Sequence, residues 1–359
     1  MLTGNKGEWS EIYTLLKIIS DQNLVAGDSE LNKIESLIFP IIKILRDESN
    51  GTFEFGYESD LVVIKGVEDE FRIPIIDFRE KATFLLSKLK ETTSAAFSIP
   101  EIESFIKSFK CTSIKAKSTI KSDIRIVIHD HRTYTKPELG FSIKSQLGEP
   151  STLLNAGKTT NFIFQIENCY LTKEEIEEIN SIESRSKIKD RIEKIGQHSG
   201  SLKFINNESN IFGNNLILID SSLPQIISEL VYLFFTSSLT KTKDLISEIT
   251  NQNPLNFDLD TSHPFYIYKM KRFLTDVALG MMPSKVWTGE LDATGGYLVV
   301  KEDGEVLCYH IYNRNQFEDY LISNTRLETA SSTRHDFGKV YEKDGSQFFK
   351  LNLQIRFLK

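Results

Sequence analysis

The sequence predicts an α/β protein: a mixed β-sheet flanked by helices over residues 1–250, followed by a C-terminal α+β region over residues 262–359. Three observations carry that reading. Ile12, Leu15, Leu16 and Ile19 recur at helical spacing close to the start of the chain. Residues 123–129 and 139–147 alternate strictly between apolar and polar, the period of half-buried strands. Residues 251–261, rich in Asn, Asp and Pro, then separate these elements from a long helical pattern and a largely β tail.

Taken in order, the opening helix is expected over 7–24, and strands at 37–45, 52–55, 61–64 and 71–76, broken by Glu, Asp and Gly turns. Helical periodicity follows at 79–89 and 99–109, the second opened by Pro100. A strand at 112–117 leads into Asp123. Residues 150–155 read as a polar turn with a short helical piece, 161–166 as another strand of the core sheet, and 172–195 as an exposed, charge-laced helix. A strand at 216–219 and helices at 224–235, 241–250 and 264–282 come next. Strands 297–301 and 305–311 form a hairpin around Asp303-Gly304, and 350–357 is a terminal strand.

The composition is that of a globular chain, 40% hydrophobic and 26% charged. The longest apolar runs are far too short to span a bilayer, and the first residues lack the basic and apolar regions of a signal peptide. Three widely spaced cysteines, Cys111, Cys169 and Cys308, argue against a disulfide framework and for a reducing cytoplasm. The net charge of -7 speaks against a nucleic-acid partner only if the charge is evenly spread. It is not: residues 1–100 hold 11 basic against 17 acidic residues, whereas 110–144 hold 8 against 3. Local potential governs attraction to phosphate, so the basic excess, which includes Lys117 and Lys121, suits a DNA backbone.

That excess coincides with a constellation of chemical groups. Alternation in 123–129 turns Asp123 away from the apolar face, and alternation in 139–147 turns Ser142, Lys144 and Gln146 to one side. Adjacent strands can therefore set Asp123 beside Lys144, a carboxylate for Mg²⁺ and an ammonium to orient water beside a scissile phosphate. The pair resembles the PD-(D/E)xK nuclease core, except that Ser142 stands where a second acidic residue is expected. In such folds a glutamate on the opening helix often reaches the metal, so Glu8 or Glu11 is the candidate replacement. The competing reading for either is a first-turn acid that complements the helix dipole. Glu149, just after the strand, is a further reserve carboxylate. Ser142 and Gln146 would support the water or the phosphate.

Three separated motifs, 4–11 (Gly-Asn-Lys-Gly-Glu-Trp-Ser-Glu), 141–156 and 350–357, together resemble the HpaII family of type II restriction endonucleases from first element to last. The resemblance implies a magnesium-dependent hydrolase that cuts double-stranded DNA at the palindrome CCGG. It also implies a cognate DNA methyltransferase as a functional, unbound counterpart; a homodimer is one candidate assembly, and the sequence leaves the oligomeric state open. The rival reading is a sequence-specific DNA-binding protein on a nuclease fold without cleavage, suggested by the missing carboxylate.

For base reading, Asn352, Gln354 and Arg356 share one face of the expected terminal strand, the amide and guanidinium chemistry that grips base edges. Ser332, Arg334 and His335 suit phosphate or base contact from a loop, and Arg314 and Gln316 do so from a helix start. His129 and His131 flank Asp130, but no Cys/His cluster accompanies them, so a structural or phosphate-facing role is expected over zinc. Gly295-Gly296 lacks a strand–GxGxxG–helix setting and reads as a tight turn.

Overall fold

The computed structural model describes residues 2–48, 51–115, 122–130 and 134–359. Helix α1 (Lys6–Asp21) opens the chain, capped by Asn5, whose side chain accepts from the Glu8 N–H while the Glu8 carboxylate accepts from the Asn5 N–H. This reciprocal capping box satisfies two otherwise orphaned donors. Trp9, Ile12, Tyr13, Leu15, Leu16 and Ile19 are buried along it. Strands β1 (Asn23–Gly27), β2 (Lys33–Glu48), β3 (Gly51–Glu58), β4 (Leu61–Lys65) and β5 (Glu70–Pro74) follow, then α2 (Ile75–Glu91) and α3 (Pro100–Ser108). Next come β6 (Ile124–Ile128), β7 (Glu138–Ser145), β8 (Thr152–Leu154) and β9 (Asn161–Glu167). Helices α4 (Lys173–Ser181) and α5 (Lys187–Gln197), β10 (Ser201–Asn207) and α6 (Asn210–Ile219), α7 (Leu223–Thr236), α8 (Thr242–Gln252) and α9 (Phe265–Leu279) continue the chain. It closes with β11 (Gly296–Val300), β12 (Val306–His310), α10 (Arg314–Ser323), β13 (Thr325–Leu327), α11 (Ser332–His335), β14 (Val340–Lys343), β15 (Ser346–Asn352) and β16 (Ile355–Phe357).

A mixed nine-stranded sheet in the order β1-β12-β11-β7-β6-β2-β3-β4-β5 forms the centre. The chain is thus the expected mixed α/β protein with helices on its sheet. Alternation along β11 and β12 feeds two cores: Leu298, Val300 and Cys308 pack with α1, α2 and α3, whereas Tyr297, Val299, Leu307 and Tyr309 pack with the later helices. Two smaller sheets, β10-β9-β15-β14 and β13-β16-β8, lie on the second side.

Several elements depart from expectation, each for a physical reason. Residues 216–219 end helix α6; a four-residue apolar run does not by itself distinguish strand from helix. Ser209 caps that helix by accepting from the Phe212 N–H at 3.3 Å, and Phe212 and Leu216 are buried one turn apart. Strand 161–166 belongs to the second sheet rather than the central one, pairing with β10 and β15. Residues 152–154 are strand, not turn or helix, because Leu154 and Thr152 pair with Ile355 and Arg356.

Of the strand expected at 112–117, residues 112–115 are irregular and held by side chains, while 116–117 lie outside the described residues. Arg46 donates to the carbonyls of Ser113 and Ile114 at 2.9 Å, and Glu48 accepts from the Ser113 hydroxyl at 2.8 Å. The expected single helix 172–195 is two, and its Arg191, 1% exposed, donates to the carbonyls of Asn180, Ile182 and Gly338. The terminal strand breaks at Leu353-Gln354 into β15 and β16, which serve different sheets.

The break expected at 251–261 does not separate two sheets. Strands β11 and β12, from the C-terminal region, lie between β7 and β1 of the N-terminal one. The Gly-Gly turn makes this insertion possible: the Gly295 N–H donates to the Gly140 carbonyl at 2.7 Å, and a Cβ on Gly295 would lie 2.7 Å from the Phe141 ring. Gly296, at φ +104°, would bring a Cβ within 2.1 Å of the Tyr309 carbonyl oxygen.

Candidate active site

Strands β6 and β7 pair antiparallel with Ile124 opposite Phe141, which sets Asp123 across from Ser142 at the end of the ladder. The Asp123 N–H donates to the Phe141 carbonyl at 2.8 Å, and its Oδ2 accepts from the Ile143 N–H at 2.7 Å. The carboxylate therefore continues the ladder where the β6 backbone ends, which fixes its orientation. On β7, Phe141 and Ile143 point into the core under α1, and the Ser145 hydroxyl meets that of Ser10 at 2.9 Å. Lys144 points to the other side. Its Nζ lies 5.0 Å from the centroid of the Tyr297 ring, and burial depresses its pKa, opposed by the charges of Asp123 and Glu11. Ser142 is 6% exposed and Gln146 half-buried, the Gln146 N–H donating to the Val300 carbonyl at 2.9 Å.

The two candidate glutamates differ in their engagements. Glu8 spends its carboxylate on the α1 cap, 2.9 Å from the Asn5 N–H. Glu11, one turn on, has a buried Oε2 with no hydrogen-bond partner among the described residues. Its carboxyl is pushed up to about 7, first by burial and then by the Asp123 charge, against the lowering effects of Arg46 and Lys115. Glu11, Asp123 and Lys144 thus sense one another electrostatically. Among the described residues no group of three His, Cys, Asp or Glu side chains is close enough to hold an ion unaided. Glu149 is exposed on the turn after β7. The His129 N–H donates to the Pro40 carbonyl, and His131 lies outside the described residues.

The candidate DNA-contacting residues are scattered. Arg334 is exposed on α11 with Ser332 and His335 half-buried beside it, and its guanidinium meets no protein acceptor among the described residues. Burial and Arg334 lower the His335 pKa. Arg314 donates to Glu318 at 2.6 Å across one turn of α10, and Gln316 is half-buried. Asn352 does not share a free face with Gln354 and Arg356. It is 3% exposed, its amide donating to Gly157, Thr160 and Asn161 at 2.8, 3.1 and 2.6 Å, because β15 ends inside the fold. Gln354 lies in the crossing between strands, and its carbonyl accepts from the Glu328 N–H at 3.2 Å. Arg356, on β16, is paired with Glu328 at 3.2 Å and donates to Thr152 at 3.3 Å. Lys117 and Lys121 lie outside the described residues.

Tyr297, Arg46 and Glu48 went unread in the sequence. Tyr297 carried only the signal of a strand residue, since its neighbour β7 is remote in the chain. The buried Arg46–Glu48 pair, 2.8 Å apart, left one faint mark: two opposite charges on the apolar parity of β2.

Two carboxyl groups and an ammonium that influence one another electrostatically lie near the end of the β6–β7 ladder, and the whole-chain comparisons define the class as site-specific deoxyribonucleases. The chain belongs to the HpaII restriction endonuclease family, whose profile matches residues 5–357. It is 51% identical over 361 residues to the type II restriction enzyme HpaII of Haemophilus parainfluenzae, covering 99% of each chain. No solved structure matches. The family resemblance carried by the three sequence motifs is thereby shown, and the reading as a binder without cleavage gives way to that of a restriction enzyme.

Proposed function

We propose that this restriction endonuclease cuts duplex DNA at CCGG with Mg²⁺, on a PD-(D/E)xK-like core in which Asp123 and Glu11 hold the ion. The observation that carries the reading is the buried, unpartnered Glu11 Oε2, on a carboxyl that is influenced by the charge of Asp123 and itself acts on Lys144. An orphaned buried carboxylate oxygen is costly, and a cation would satisfy it. Two hard oxygen donors suit Mg²⁺, which keeps several waters and takes substrate phosphate oxygens to complete its shell. When bound, the ion would supply Lewis acidity at the scissile phosphate and lower the pKa of a water.

The chain's own groups do the remaining work. Asp123, its carboxylate locked by the Ile143 N–H, presents its other oxygen in a fixed direction. The N–H groups of Lys144 Nζ donate hydrogen bonds to the attacking water or a phosphate oxygen. Ser142 on β7 and Gln146 just beyond its end, of the same parity, flank that position. Arg334 is the first candidate base reader, Arg356 the second once it leaves Glu328, and the basic 110–144 segment holds the backbone. Two copies would meet the two strands of a palindrome, one site each. A partner methyltransferase would protect host DNA in the cytoplasm without binding this chain, whose three cysteines are unpaired.

Asp123→Asn tests the reading, since the amide oxygen can still accept from Ile143 while losing the charge. Removing a metal ligand is worth several kcal/mol, so plasmid cleavage in Mg²⁺ should fall by about a hundredfold or more. Duplex affinity without metal should hold or improve. Cleavage by the variant at the parental rate, or parental cleavage in EDTA, would overturn the metal assignment. Mapping the parental ends tests CCGG.

A further inference from the structure

We propose that Tyr297 is a positioning residue for the Lys144 ammonium: the face of its ring holds Nζ by a cation–π contact, and the cleavage rate depends on the electron density of that ring. The proposal rests on the assignment of Lys144 to the reaction.

The geometry points to it directly. A lysine ammonium is a compact charge on a flexible stem, with three donors to satisfy. Among the described residues the Lys144 Nζ has no hydrogen-bond acceptor, and the Tyr297 ring, 5.0 Å away, is what it meets. That ring is immobile. Tyr297 is 2% exposed, its hydroxyl donates to the Ala278 carbonyl at 3.2 Å, and Phe317 and Phe357 flank it edge-on at 5.3 and 6.0 Å. Parallel pairing of β7 and β11 sets Tyr297 beside Ser142 and Val299 beside Lys144, so the ring lies one pleat from the lysine. The Gly295-Gly296 turn fixes this register, because a Cβ at either glycine would strike Phe141 or the Tyr309 carbonyl.

An aromatic face differs from a carboxylate partner in one chemical respect. A carboxylate would hold the ammonium's N–H groups as a strong acceptor, whereas the ring attracts the charge through its quadrupole and leaves N–H groups turned away from its face for water and phosphate. The buried surroundings favour loss of the charge, and the ring offsets that by favouring the ammonium form.

The test replaces Tyr297 by Phe and by mono-, di- and trifluorophenylalanine, which keep the ring's shape while draining its face of electron density. Single-turnover cleavage of a CCGG duplex in Mg²⁺, metal-free duplex affinity and melting temperature are measured for each. Tyr297→Phe should cleave within about twofold of the parent. Each fluorine should then lower the rate by about twofold, with affinity and melting temperature level across the series. A flat rate across the fluorinated series overturns the proposal. Lys144→Met separates the two levels: if it still cleaves, the lysine assignment itself falls. If it binds without cleaving while the fluorine series is flat, only the role of Tyr297 falls.

Discussion

Glu11 carries a titration whose sign can be worked out. Its carboxyl is raised to about 7 from an ordinary 4.5, first by burial and then by Asp123, so the folded chain disfavours the charged form. The resulting penalty is absent below the unfolded value, grows as pH rises from there to about 7, and is full above it. Glu11→Gln removes the charge, so in metal-free buffer near pH 8 it should raise unfolding stability by about 1–3 kcal/mol. The gain should vanish near pH 4.5, and added Mg²⁺ should stabilise the parent more than the variant. Urea unfolding at the two pH values checks it, and a gain at the acid end instead would refute the sign. Glu8 belongs to the same scale but has a partner that Glu11 lacks, because one of its carboxylate oxygens accepts from the Asn5 N–H at the α1 cap.

Legibility at the scale of elements followed from how local each pattern is. Strands β6 and β7 alternate within their own residues and are nearest neighbours in sequence, so their pairing, and the face of β7 that carries Lys144, could be read from spacing. Strand β11 was legible from its own pattern and its hairpin with β12, but nothing local announced β7 as its neighbour on the site side, and the contact of Tyr297 with Lys144 stayed hidden with that pairing. The terminal run misled for the opposite reason: its alternation is unbroken, yet Asn352 anchors one sheet and Arg356 another. Arginine roles should divide accordingly. Losing a bidentate guanine contact costs about 1–3 kcal/mol of discrimination. Arg334→Ala should therefore narrow the affinity gap between CCGG and scrambled duplexes by that amount at several salt concentrations. Arg356→Ala, which also breaks a half-exposed pair with Glu328, should change unfolding stability by no more than about 1 kcal/mol. If both substitutions weaken the two duplexes equally, base reading lies elsewhere, first at Arg314.

Across the whole molecule, the central sheet ties the two ends of the chain together. A fragment of residues 1–250 lacks β11 and β12, leaving the inner edges of β7 and β1 unpaired and Phe141, Ile143 and Leu24 without their neighbours on that side. Exposed strand edges of that kind aggregate. The fragment should show no cooperative thermal transition by circular dichroism and rapid proteolysis; a protease-resistant fragment with a sharp melt would restore 1–250 as an independent unit. The same interleaving sets a clock during synthesis. At roughly 5–20 residues per second the ribosome needs on the order of ten seconds to pass from β7 to β11. Through that interval the growing chain already holds Asp123 and Lys144 but not the strand that completes their surroundings. The surroundings of these two side chains are thus completed only when synthesis has reached residues 296–300 of the 359.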